Sequence, residues 1–168
     1  MSKPGYLTFM LLLCAASSST AHGPSRLVGT WELVSRIDRD PAGRVLSKTS
    51  LGATPLGYLI YDAAGHVAAQ LAARDRPATI CDTVLGPVEE NNNANIGGYT
   101  AYFGRYQVDT VANVVTHELE GALASRDVGR RLTRRFRVSG DTLTIQFEPG
   151  GPATPRRTRT LIWRRVSS

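Results

Sequence analysis

Apolar residues recur at every second position through most of the chain beyond residue 28, the period of a strand with one face in a core and one in water. The first such run, Thr30 to Ile37, puts Gly29, Trp31, Leu33 and Ile37 on one side and Thr30, Glu32, Arg36 and Asp38 on the other. Asp40-Pro41-Ala42-Gly43 then turns the chain, since Pro presets one turn dihedral and Gly accepts a positive φ. Val45 to Ser47 reads as a short second strand before a loop ending at Pro55. Gly57 to Tyr61 and Val67 to Ala72 flank the turn signal Asp62-Ala63-Ala64-Gly65 and read as a hairpin. Further strands are expected at Ala101 to Val108, Val114 to Leu123, Leu132 to Val138, Thr142 to Phe147 and Thr158 to Val166.

The alternation dissolves from Arg74 to Gly98, a stretch rich in Pro and Asp with an Asn91-Asn92-Asn93 run, where a short helix around Val88 to Ile96 is expected. So long a connection in a compact domain is either a binding loop or a variable surface loop. The other links are too short for the crossover helix that parallel strands need. The expected fold is all-β: an antiparallel up-and-down barrel of eight or nine strands with a short helix or long loop inserted mid-chain. A two-sheet sandwich is the alternative. About eight strands enclose an interior that just holds one small ligand.

The first residues change what the barrel must be. Lys3, the apolar run Tyr6 to Leu13 and the small-x-small site Ser19-Thr20-Ala21 have the layout of a secretory signal peptide. The run is too short to span a bilayer, so no stable membrane insertion of the mature domain is expected. The domains are then a signal peptide over 1–21 and one barrel over 22–168, exported to the periplasm or the exterior. Lipid anchoring through Cys14 is the alternative, disfavoured by the bulky Leu13 before it. Cleavage after Ala21 leaves Cys81 as the one thiol, so the core alone holds the fold.

Charge is unevenly placed. Residues 126 to 168 carry 11 Arg against Asp127, Asp141 and Glu148, whereas residues 1 to 125 carry 9 basic and 11 acidic groups. Such asymmetry can mark a nucleic-acid surface. Here the arginines alternate with apolar residues, as in Arg131 to Val138, which is how the wet face of a strand looks. No nucleic-acid partner is expected. His22, His66 and His117 lie far apart without a carboxylate cluster at ligand spacing, so no metal is expected. Gly150-Gly151-Pro152 precedes no helix and makes no phosphate loop, so no cofactor is expected either.

A family resemblance rests on Leu27-Val28-Gly29-Thr30-Trp31-Glu32-Leu33-Val34, Pro55 to Tyr61 with Gly65, Ala69-Gln70-Leu71 followed by Arg74-Asp75-Arg76-Pro77, Ala101-Tyr102 with Gly104-Arg105-Tyr106, Val115-Thr116-His117 with Glu120-Gly121, and Arg134-Arg135-Phe136 with Gly140-Asp141. In this order and spacing the chain resembles the lipocalin-like domain of many small bacterial and fungal proteins. The resemblance implies a barrel whose cavity takes an apolar or amphipathic small molecule. It also implies structural roles for Gly29 and Trp31 at the closed end, with Arg164 or Arg165 stacked over the tryptophan. The chain departs from the family's pattern at Arg126-Asp127 and Leu132, where relatives often carry Asn-Trp and Gln.

Candidate site residues are polar groups that the alternation turns inward. His117 shares a face with Val115, Leu119 and Gly121, opposite Glu118 and Glu120. Arg134 shares a face with Leu132, Phe136 and Val138. Each is costly on an apolar face unless hydrogen-bonded, paired or wetted. Tyr102 and Tyr106 lie on one face with Val108, and Tyr61 and Gln70 sit in a hairpin with too little contrast to orient them. Glu120 reaches Arg134 only if a bulge reverses one strand's face. The favoured function is binding of a small apolar or weakly acidic molecule, with Arg134 and His117 meeting its polar end. The alternative is a cofactor-free isomerase or cyclase of a polyketide- or terpenoid-like molecule, with His117 as general acid or base.

Overall fold

Each period-two run becomes a strand, and consecutive strands pair through short turns until the last meets the first. The structure, a computed structural model of the 168-residue chain, describes residues 26–47, 51–52, 54–75, 98–149 and 156–166. The strands are β1 (Gly29–Arg39), β2 (Leu56–Tyr61), β3 (His66–Ala72), β4 (Tyr99–Asp109), β5 (Val114–Ala122), β6 (Arg131–Ser139), β7 (Thr142–Phe147) and β8 (Thr158–Arg165). All neighbours are antiparallel and β1 pairs with β8, so the sheet closes as a meander barrel. Closure removes the free edges on which strands of other chains could pair.

The expected strand at Val45 to Ser47 reduces to one bridge between Arg39 and Val45, so eight strands stand among the described residues. The helix expected around Val88 to Ile96, the leader, Cys14 and Cys81 lie outside the described residues. A 3-10 turn at Ser125–Asp127 links β5 to β6; no periodicity announced it.

β1 does not keep one inward face. Its register against β8 shifts between Leu33, which faces Trp163, and Ser35, which faces Ile162. Val34 is the extra residue of a bulge and is 56% exposed. Two residues on one strand opposite one on its partner reverse the alternation beyond the bulge. Arg36 and Asp38 are therefore buried and Ile37 turns outward, the opposite of the assignment that strict alternation gives. A second shift between Phe103 and Gly104 leaves Glu120 as the extra residue on β5.

One end of the barrel is plugged. Trp31 and Trp163 are almost fully buried there, and the Trp31 indole N–H donates to the Leu27 carbonyl at 2.8 Å. The Arg165 guanidinium lies 4.0 Å above the Trp31 ring and donates to the carbonyls of Val28 and Arg26. Of the two arginines expected over the tryptophan, Arg165 fills the place; Arg164 is on the surface, paired with Glu32 at 2.9 Å. Gly29 has φ +135°, and a Cβ there would come within 2.6 Å of the Arg165 guanidinium. Gly29→Ala is expected to lower stability by about 1–3 kcal/mol, the usual cost of a non-Gly residue in such a conformation. Urea unfolding measures it; an unchanged midpoint would mean that Arg165 moves aside freely.

Because strands alternate in direction, the turns after β2, β4 and β6 share the Trp31 end. The connections after β1, β3, β5 and β7 share the other, where the tip of β1 carries Arg36 and Asp38 and the start of β8 carries Arg159.

Candidate functional site

Inside the barrel lies a cavity of about 40 Å³, room for a few water molecules and far smaller than a drug-sized ligand site. Leu59, Leu71, Ile145 and Leu161 form its apolar wall; Arg36, Thr100, Tyr102, His117, Arg134 and Arg159 supply polar groups. The side chains converge because each occupies an inward position on its strand: Thr100 and Tyr102 on β4, His117 on β5, Arg134 on β6, Arg159 with Leu161 and Trp163 on β8.

Toward the end away from Trp31, Asp38 gathers three guanidiniums. Arg159 donates to both carboxylate oxygens, at 2.8 and 2.7 Å; Arg36 donates at 3.4 Å, and Arg157 stands 3.7 Å away. The register explains the closest pair, since Asp38 and Arg159 are direct partners across β1 and β8. Burial alone pushes the Asp38 carboxyl up, but the hydrogen bonds and charge of Arg159, then of Arg36, outweigh it and hold it at about 2. Burial, followed by the charge of Arg159, lowers the Arg36 guanidinium to about 10. Arg36 and Arg159 face the cavity, so this cluster forms part of its wall.

Deeper in, His117 is fully buried between two tyrosines. Its Nε2 is 2.8 Å from the Tyr61 hydroxyl and its Nδ1 is 2.8 Å from that of Tyr102. Burial, and after it the nearby charge of Arg134, push the imidazole well below its ordinary pKa, so it is neutral. Burial raises Tyr102, opposed by the charge of Arg134 and a hydrogen bond from it. The Arg134 guanidinium also lies 4.1 Å from the centre of the Phe147 ring, a cation–π contact. Two further buried groups on the cavity wall, the Thr100 hydroxyl and the Trp163 indole N–H, have no hydrogen-bond partner among the described residues.

The structure brings Tyr102, His117 and Arg134 together, as inward alternation implied, and adds Tyr61, which alternation left unoriented. Tyr61 is not on the cavity surface; it backs His117. Tyr106 packs edge-on against Tyr61 with centroids 4.8 Å apart and donates to the Asp62 carbonyl, so it braces the turn after β2. Gln70 is on the outer face, where its side-chain oxygen accepts from Tyr99. Glu120 is also outside, paired with Arg105 at 3.1 Å: strict alternation with Glu118 keeps it there, and the β4/β5 bulge does not turn it toward Arg134. These two positions are corrections to the sequence assignment. Sequence reasoning missed Arg36 and Asp38, which the bulge conceals. It also missed Arg159, Thr100 and Trp163, although Arg159 shares its parity with Leu161 and Trp163 and could have been found. Arg131, Arg135 and Arg137 are exposed, as the wet-face reading of β6 expected.

Among the described residues no three of His, Cys, Asp and Glu stand close enough together to hold a metal ion. No match was found among curated proteins or solved structures. A family model described as a lipocalin-like domain matches residues 28–166, from the strand that carries Trp31 to the end of β8. With a closed eight-stranded barrel, a Trp plug capped by arginine and an internal cavity, the chain belongs to the lipocalin-like domain family.

Proposed function

We propose that the barrel binds a small amphipathic acid, with the carboxylate among the inward arginines and the apolar part against Leu59, Leu71, Ile145 and Leu161. The observation that carries this is the charge of the cavity wall. Three buried guanidiniums, Arg36, Arg134 and Arg159, face the cavity, two of them held in place by Asp38. Guanidiniums gathered on the wall of a largely apolar cavity attract an anion strongly, because little water screens them there. A guanidinium's planar fork suits a carboxylate. The small free volume argues for a compact acid, or for a longer one whose head alone enters. Small-molecule binding is what the family's fold suggests; the acidic head is read from these residues.

Titrating the purified protein with monocarboxylates of increasing length and with the matching alcohols tests it. Acids are expected to bind saturably and alcohols at least tenfold more weakly. Arg134→Met is expected to weaken acid binding by roughly 10–100-fold, the range of about 1.5–3 kcal/mol for hydrogen bonds to charged groups. Equal binding of acids and alcohols would sink the reading. Export of the mature domain fits a carrier of this kind. N-terminal sequencing of the exported protein, expected to begin at His22, separates it from an anchor at Cys14.

A further inference from the structure

The hydrogen bonds around His117 have a direction, and it follows from counting protons. The Tyr61 hydroxyl is fully enclosed, and among the described residues its one hydrogen-bond partner is His117 Nε2. A buried O–H left without an acceptor is costly, so Tyr61 donates and Nε2 accepts. A neutral imidazole carries a single N–H, which then resides on Nδ1 and donates to the Tyr102 oxygen. The Arg134 guanidinium stands near the same hydroxyl and favours negative charge on its oxygen. With the His117 N–H pointing at its oxygen, Tyr102 must direct its own hydrogen elsewhere. Its ring lines the cavity, and no acceptor for that hydrogen exists among the described residues.

We propose that Tyr102 is the group that selects the ligand's oxygen: its O–H is aimed into the cavity as an obligate donor by the chain Tyr61 O–H to His117 to Tyr102. This deepens the acid reading and rests on it. The Arg134 guanidinium, the orphaned Trp163 N–H and the Thr100 hydroxyl face the same space, so donors converge there. The seat takes a carboxylate, phenolate or carbonyl oxygen and disfavours a group that can only donate, such as an ammonium. The His117 N–H on the Tyr102 oxygen also strengthens its O–H as a donor, because a hydrogen-bonded chain polarises each member. His117 is a positioning residue in this scheme. Both of its ring nitrogens are occupied, so any proton passing to or from a ligand passes at the Tyr102 oxygen.

The first test needs no ligand. Nitrogen-15 NMR of the histidine rings in the unliganded protein is expected to show Nδ1 protonated and Nε2 bare at neutral pH. A ring protonated at Nε2 overturns the proposal, because Tyr102 would then be donating to His117. The second test uses hexanoate and 1-hexanol. Tyr102→Phe is expected to weaken hexanoate about tenfold while changing hexanol less than twofold. Tyr61→Phe, which keeps Tyr102 itself, is expected to weaken hexanoate severalfold and to alter the His117 nitrogen shifts. An unchanged hexanoate-to-hexanol ratio in Tyr102→Phe overturns the selecting role while leaving Arg134 as the acid's partner. Failure of hexanoate to bind the unsubstituted protein overturns the acid reading and the seat with it, and the NMR result still decides the proton direction.

Discussion

Replacing Asp38 with Ala is expected to lower the free energy of unfolding by about 3–5 kcal/mol, the cost of removing one partner from a buried ion pair. Asp38 and Arg159 are 2% and 3% exposed, and Arg36 is 7% exposed. Without the carboxylate these guanidiniums repel one another at short range where little water screens them. Urea unfolding at neutral pH reads the effect as a lower midpoint with an unchanged slope. A loss under about 1 kcal/mol would show that Asp38 is not what holds the arginines together.

The same residue fixes an acid limit. Its carboxyl is held at about 2 in the folded chain against an ordinary 3.8. A depressed folded value gives stability that is fully present above the unfolded pKa and is lost as pH falls through the folded one. The window is therefore about pH 4 down to pH 2, and the loss about 2 kcal/mol. Asp38→Asn is expected to abolish this step while leaving those of the exposed carboxylates. It should also bind monocarboxylates more tightly, because the cavity wall loses its compensating negative charge. If Asp38→Asn retains the full acid step, other carboxylates cause it.

Trp31→Ala is expected to cost about 3–5 kcal/mol, the usual range for a fully buried large aromatic residue. Three losses combine: the ring's packing, the hydrogen bond to Leu27 and the face on which Arg165 lies. The last is the smallest, about 0.5–2 kcal/mol. Arg165→Ala should therefore cost clearly less than Trp31→Ala, and the double variant less than the sum, since the arginine's stacking vanishes with the ring. Strict additivity of the two would show that the cation–π contact contributes nothing.

The strand pattern was legible because closure of the barrel gives every strand one wet and one dry face. β7 matches its sequence expectation at both ends, and β2 and β3 each begin one residue earlier than expected and end where expected. His117 and Arg134 were legible for the same reason: each is polar in an otherwise apolar parity class. Gln70 and Tyr61 were not, because a hairpin apolar on both faces carries no contrast. Arg36 and Asp38 were misread for a different cause. Parity is a relative measure, and a bulge resets its origin without leaving a mark in hydrophobicity. The partner strand held the missing information, since an inward Arg159 requires a carboxylate on the strand beside it, and only the closing pair of β1 with β8 puts Asp38 there.

The bulge at Val34 also makes the chain's length locally elastic. Removing Val34 lets Leu33, Ser35 and Arg36 meet Trp163, Ile162 and Leu161 without a break, so Trp31 and Asp38 both still point inward. Removing any one residue from the middle of β8, which stores no spare, swaps the inner and outer sets beyond the cut. Homologues that differ by one residue in the first strand can thus share one pocket, and a gap placed elsewhere in their alignment pairs a pocket arginine with a surface residue.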